Sequence, residues 1–218
     1  YHEVKDLNAL LRAIDYNVRI PEDITILDGM VADTLAHAAP WENVHSKLII
    51  DATTLSKNDP RASEGKQMGC PDSLAVSASG IVDVIDGRML GTSMLVVTTK
   101  IANGPMPEFS MEEVDEDGAR AQREQIARIR DEIWSLEAAK NLRWLFITDD
   151  DADLRDENWK RRLLWQLFCR FEVARDLHFD EARTRIAWDA TAPIPSVEGP
   201  LPVRRWPGVT LHDSEIED

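Results

Sequence analysis

The chain has 218 residues, 43% of them hydrophobic and 30% charged, enough for one large domain or two small ones with a sizeable core. Its 25 basic and 40 acidic residues give a formal charge of −15, which repels a phosphate backbone and argues against nucleic acid as a partner. No apolar run reaches the roughly 18 residues of a membrane span, no signal-peptide pattern opens the sequence, and Cys70 and Cys169 stand far apart outside any C-x-x-C pair, so a cytoplasmic location is expected.

In residues 4–15, Leu7, Leu10, Leu11 and Ile14 fall at helical spacing, which predicts a helix stopped before Pro21. Ile24-Thr25-Ile26-Leu27 reads as a short strand closed by the turn pair Asp28-Gly29. A short helix over 31–38 and a second strand at Leu48-Ile49-Ile50 follow. Residues 56–72 are polar and rich in turn formers, and read as a loop. Residues 74–85 suit helix and strand equally, and Asp86-Gly87 reads as a turn. The β-branched run over 94–101 predicts a strand, ended by Asn103-Gly104-Pro105-Met106-Pro107.

Ser110 and Glu113 form a capping-box pattern ahead of a long helix over 111–140. Ile126, Ile129, Ile133 and Leu136 mark its inner face, and Gly118 weakens it enough to allow two helices. Arg123, Arg128, Arg130, Asp131 and Glu132 read as a solvated face laced with i,i+4 ion pairs. A buried strand over 144–148 runs into Asp149-Asp150-Asp151. A helix over 158–171 follows, with Trp159, Leu163, Leu167 and Phe171 on a core stripe. The last strand covers 186–188. Pro193, Pro195, Pro200, Pro202 and Pro207 predict an extended tail that wraps over another surface.

Few residues suggest chemistry directly. Asp149, Asp150, Asp151 and Asp153 have the oxygens for Mg²⁺ or Ca²⁺ but lack the Gly and distal Glu of a calcium loop, so an acidic solvated loop is the simpler reading. Asp33 and His37, four apart, suit a general acid/base pair or, more simply, a structural hydrogen bond. Lys47 beside Asp51 suits contact with an anionic substrate or cofactor across a cleft, or a surface ion pair. Thr53 and Thr191 are placed to cap the segments after them. His37, Lys47 and Asp51 are the candidate cleft residues; no catalytic, cofactor-binding or metal-ligating residue is assigned.

Two stretches of the chain run in parallel. Leu10, Leu11 and Ile14 precede a link ending at Asp23, a strand, and Ser46-Lys47-Leu48-Ile49-Ile50-Asp51-Ala52-Thr53. Leu163, Leu164 and Leu167 precede a link ending at Asp176, a strand, and Thr184-Arg185-Ile186-Ala187-Trp188-Asp189-Ala190-Thr191. Alternating strands and helices imply crossovers and mostly parallel pairing. The expected fold is therefore α/β, with two pseudo-repeated lobes over 1–60 and 143–218. Between them lie a connecting loop and β segment over 61–110 and the long helix over 111–142. The first copy lacks the strand that precedes the helix in the second, and the chain opens at Tyr1, so a fragment with that strand upstream is expected.

The order of these pieces resembles the carboxy-terminal part of UbiD-type decarboxylases. The resemblance rests on residues 145–151, Arg175-Asp176, Gly29-Met30-Val31-Ala32-Asp33-Thr34-Leu35-Ala36-His37-Ala38 and residues 46–53. Arg204-Arg205-Trp206-Pro207 with Asp213 looks like the end of longer members that act on aromatic acids. The resemblance implies reversible removal of CO2 from an aromatic or unsaturated carboxylic acid on prenylated FMN held with a divalent metal. It also implies that catalysis belongs to an upstream flavin-binding domain, and that this segment acts as lid and assembly part of a homo-oligomer, holding no cofactor alone. The other reading of the same residues is a non-catalytic assembly or binding subunit with this fold.

Overall fold

The computed structural model describes residues 6–31, 38–41, 43–53, 69–100, 114–150, 152–199 and 201–203. Helix α1, Leu7–Asn17, starts at Asp6, whose side chain accepts from the Asn8 N–H. It leads to strands β1, Ile24–Val31, and β2, Val44–Ile50. Next come α2, Ser73–Ala78, β3, Val84–Met89, and β4, Met94–Thr99. Helix α3, Glu116–Ser135, crosses to β5, Trp144–Asp149. Helix α4, Trp159–Arg170, the short α5, Val173–Asp176, and strands β6, Leu177–Phe179, and β7, Ile186–Asp189, complete the described elements.

Strands β3 to β7 form one mixed sheet in the order β3-β4-β5-β7-β6. Parallel pairing holds for β4, β5 and β7, as the alternation of strands and helices predicted, with Leu95 opposite Leu145 and Leu145 opposite Ala187. The edges differ: β3 is antiparallel to β4, and β6 to β7. The first unit also departs from expectation, since β1 and β2 pair antiparallel as a separate two-stranded ribbon, Ile24 opposite Ile50.

Two turn assignments give way to strand. Asp28-Gly29 lies inside β1, where the register shifts between Leu27 and Met30 and Gly29 takes φ +63°. Asp86-Gly87 lies inside β3, where the register shifts between Val84 and Asp86. In both, the aspartate accepts from the next N–H; in β1 the pair sits within the bulge, whereas in β3 Asp86 and Gly87 stay in register with Thr98 and Val97 and the bulge falls at Ile85. The long helix is shorter than predicted and continuous. Asp115 caps it by accepting from Gly118 at 2.8 Å, which places Gly118 in the first turn, where its flexibility costs little. Ser110 and Glu113, residues 32–37 of the expected short helix, most of the 56–72 loop and the 103–107 breaker lie outside the described residues.

Every residue of β4 and β5 is buried because side chains on both faces meet helices. On one face, Leu95, Val97, Leu145 and Ile147 pack on Ile126, Ile129 and Ile133 of α3. Burying Ile129 and Ile133 fully contributes roughly 2 kcal/mol each. On the other face, Val96, Trp144, Phe146 and Trp188 pack on Trp159 and Leu163 of α4, with Val18 and Ile20 after α1. The ribbon lays Ile24, Leu48 and Ile50 on this second cluster and turns Leu27, Ile49 and Val31 outward.

Two polar joints fix the first unit to the sheet. The buried Asp15 carboxylate accepts from Thr92 N (2.5 Å), Thr92 Oγ1 (2.9 Å), Ser93 N and Ser93 Oγ. A Cβ at Gly91 would lie 2.6 Å from Asp15 Oδ2, so this approach requires glycine. Arg143 donates to the carbonyl oxygens of Asp15 and Val18 and thereby closes the end of α1 onto the start of β5. Of the tail, residues 192–199 run along the first turns of α3, with Asp115 N bonded to Pro195 O and Ser196 bonded to Glu116.

Candidate functional site at the carboxyl ends of the strands

Strands β4, β5 and β7 end at Thr99, Asp149 and Asp189, side by side at the carboxyl edge of the sheet, where open α/β sheets place their ligands. Helices α3 and α4 sit on opposite faces here, so polar residues from both converge. Asp149 Oδ2 accepts from Arg170 Nη1 at 2.7 Å and from Ala192 N at 2.8 Å. Asp189 Oδ1 accepts from Thr191 N at 3.0 Å and Thr191 Oγ1 at 2.5 Å. Gln122 of α3 donates to Thr191 Oγ1 and Ala192 O and accepts from Ile194 N, locking residues 191–194 over the strand ends. Burial pushes the Asp189 carboxyl up to about 6, reinforced by the Asp149 charge and opposed by the Thr191 hydrogen bonds.

A second cluster lies beside it. Arg175 grips Asp176 with Nε to Oδ1 at 2.6 Å and Nη2 to Oδ2 at 2.7 Å, a fork-on-fork pair. Asp176 Oδ2 also accepts from Glu172 N at 2.8 Å. Burial pushes Asp176 up to about 7 even with Arg175 drawing it down. The Glu172 carboxylate reaches the ribbon and accepts from Ser46 N at 2.9 Å, opposite the β1 bulge, where Ser46 Oγ donates to Asp28. The link after α4 thus ties the ribbon to the acidic edge of the sheet.

A cavity of about 240 Å³ opens next to these clusters, between α3, the β6–β7 ends and residues 193–203. Ile126, Ile194 and Leu201 give it apolar walls; Arg123, Arg130 and His178 give it polar ones. Burial, with the positive charge of Arg130, lowers His178 to about 4, so its imidazole is neutral at physiological pH. The arginine face of α3 is therefore divided. Arg128 pairs with Asp83 and Glu132 in solvent, as expected, while Arg123 and Arg130 line the cavity.

The residues singled out from the sequence do not meet here. His37 and Asp33 lie outside the described residues. Lys47 is exposed on β2 opposite Leu27, and Asp51 accepts from Thr53 N (3.0 Å) and Thr53 Oγ1 (2.6 Å) in an exposed turn. Four residues of strand span about 13 Å, too far for Lys47 and Asp51 to pair directly. Thr53 and Thr191 each donate Oγ1 to the aspartate two positions before; the segment after Thr53 lies outside the described residues. Among the acidic run, Asp149 pairs with Arg170 and Asp153 accepts from Arg155 N; Asp151 lies outside the described residues. Among the described residues no group of three or more His, Cys, Asp or Glu is poised to hold a metal. Asp176, Asp189, Gln122 and His178 were missed as a group. The Asp-x-Thr spelling was the available signal, but only burial distinguishes Asp189 from Asp51.

Residues 2–52 match the family model described as the 3-octaprenyl-4-hydroxybenzoate carboxy-lyase C-terminal domain, so the resemblance read from the sequence holds there. No curated protein matches. Similar solved structures include the vanillic acid decarboxylase of Sedimentibacter hydroxybenzoicus in its open form, at 12% identity and TM-score 0.43 over 66% of this chain and 30% of that one. Another is the UbiD-class enzyme HmfF of Pelotomaculum thermopropionicum in complex with FMN, at 12% identity and TM-score 0.35 over 64% of this chain and 29% of that one. The chain thus spans less than a third of the length of these structures. A prenylated flavin does not fit the described cavity, whose 240 Å³ falls below the roughly 300–1,000 Å³ of sites for ligands of that size.

Proposed function

We propose that this chain is the carboxy-terminal lid and assembly part of a UbiD-type decarboxylase, which removes CO2 reversibly from an aromatic or unsaturated carboxylic acid in the cytoplasm. The observation that carries the reading is the family match over residues 2–52, which covers α1, β1 and β2 and ends at the Asp51-Ala52 turn. Prenylated FMN and its metal would be held by a flavin-binding domain outside these residues, where the cofactor supplies the electron sink for losing CO2.

The described residues would act by binding and exclusion. The outward face of the ribbon carries Leu27, Val31 and Ile49, with Trp41 beside it, all substantially exposed. Such a face suits a surface that closes against another domain or subunit. Lys47 on the same ribbon would meet an anionic group across that closure, and His37 and Asp51 remain candidates for the same cleft. The homo-oligomer would form through these apolar surfaces.

The test is to tag the protein in its native cells, purify it with whatever it carries, and read flavin absorbance and exchange of labelled bicarbonate into aromatic acids. Co-purified flavin and exchange support the proposal. A stable complex with neither, after reconstitution with reduced prenylated FMN and Mn²⁺, would overturn it in favour of a non-catalytic assembly subunit.

A further inference from the structure

We propose that the cavity beneath residues 192–199 and 201–203 is a binding site for a small organic anion with a compact apolar body, the anion meeting Arg123. The inference uses the cavity alone and does not rest on the decarboxylase reading.

The site is built rather than left over. Gln122 holds residues 191–194 by three hydrogen bonds, and Glu116 holds Ser196 Oγ at 2.6 Å and Val197 N at 2.7 Å. Ser196 and Val203 then exchange backbone bonds at 3.2 and 2.8 Å, and Leu201 and Val203 reach the cavity wall as a strap. Gly199, at φ +110°, lies against the Arg123 guanidinium, whose carbon would stand 3.4 Å from a Cβ at that position. The strap thus positions Arg123 without neutralising it.

Of the three guanidiniums that line the cavity, Arg123 is the one with no carboxylate hydrogen-bonded to it among the described residues. Arg175 is taken by Asp176 through two hydrogen bonds. Arg130 pairs with Asp131 at 2.8 Å and lies over the Trp134 ring. Asp189 is engaged by Thr191. Arg123 makes no hydrogen bond or ion pair with the described residues; it reaches Glu116 only through space. His178 likewise makes no hydrogen bond among them, and its ring faces the cavity as a neutral donor and acceptor. An arginine whose hydrogen-bond donors are untaken, a neutral imidazole and walls of Ile126, Ile194 and Leu201 suit an anion that also has apolar surface. Size sets the rest: a cavity of roughly 150 Å³ admits benzene, so 240 Å³ admits one ring and a carboxylate but not two fused rings with a side arm.

The experiment is an NMR titration of the 218-residue protein with benzoate, benzyl alcohol as its neutral counterpart, and phosphate as an anion with no apolar body. Saturable benzoate shifts centred on Ile126, His178 and Leu201 are expected, with benzyl alcohol and phosphate each at least tenfold weaker. Arg123→Gln should weaken benzoate about tenfold or more. Leu201→Trp, which fills the cavity from the strap, should abolish binding while the backbone shifts of β4 and β5 stay in place. Absence of saturation, equal binding of benzyl alcohol or of phosphate, or unchanged affinity in Arg123→Gln would each overturn the proposal.

Discussion

The ribbon β1–β2 and the hairpin β6–β7 share their local bonding and differ in almost everything else. Each follows a helix through a link in which an aspartate accepts from the N–H four residues earlier: Asp23 from Arg19 at 2.9 Å, Asp176 from Glu172 at 2.8 Å. Each is an antiparallel pair, with Ile24 opposite Ile50 in one and Leu177 opposite Trp188 in the other. Each ends in an Asp-x-Thr turn with the same two hydrogen bonds. Yet β7 lies parallel along β5, and the ribbon pairs with no other strand of the described residues. Thr191 is consequently buried and Asp189 half-buried with its carboxyl desolvated, while Asp51 and Thr53 are exposed. Local sequence sets the turn, and the neighbouring strand decides whether its carboxylate is a solvated cap or a buried group with a raised pKa.

The largest expected effect tests whether the first unit depends on the sheet. Asp15→Ala strips the acceptor from four donors on Thr92 and Ser93 and should lower unfolding free energy by roughly 3–5 kcal/mol, measured by urea denaturation. A loss under about 1 kcal/mol would mean the two regions fold independently.

The next tests whether the docked hairpin alone carries pH sensitivity. His178 is lowered to about 4 from 6.5, so its contribution is intact above 6.5 and lost as pH falls through 4. His178→Gln should therefore gain on the parent by about 2–3 kcal/mol between pH 6.5 and pH 4. Asp176 and Asp189, raised to about 7 and 6, act with the opposite sign: their contribution is full below about 3.8 and is lost as pH rises through 6 to 7. Thr25, which follows Ile24 in the ribbon as His178 follows Leu177 in the hairpin, does not titrate; Thr25→Gln should leave the pH profile of stability unchanged.

A matched pair sharpens the turn comparison. Asp189→Ala leaves the Thr191 N–H and hydroxyl without their acceptor in a buried place and should cost about 2 kcal/mol. Asp51→Ala removes the same bonds in solvent and should change stability by under about 0.5 kcal/mol in thermal melts. Equal losses would show that the turn itself, not its burial, sets the energy. The smallest expected effect is Ile49→Ser on the outward ribbon face: stability within about 0.5 kcal/mol, but weaker association in sedimentation if that face is a contact.

Much of the fold was legible. The apolar runs of β4 and β5 and the 3.6-residue pattern of Ile126, Ile129 and Ile133 mark elements buried on one or both faces, because burial and periodicity are properties of short windows. Asp28-Gly29 and Asp86-Gly87 misled because the same dipeptide can make a turn or sit within a strand, at a bulge in β1 and in register in β3, and the partner strand decides which. The antiparallel ribbon was misread because the order of elements along the chain does not by itself fix the relative direction of two strands. At the site, Asp176 and Asp189 were visible only as recurring letters, and the split of the arginine face followed from where residues 193–203 cross α3.

By itself the sequence determined helices α1, α3 and α4, strands β4, β5 and β7 and their parallel pairing, all of which follow from backbone preference and hydrophobic period within a few residues. Only the tertiary structure decided that one aspartate is buried and the other wet, that Arg123 and Arg130 face a cavity while Arg128 faces solvent, and that the ribbon shows its apolar side. Those outcomes depend on which distant segments pack together, and desolvation by a distant neighbour is a quantity no local pattern contains.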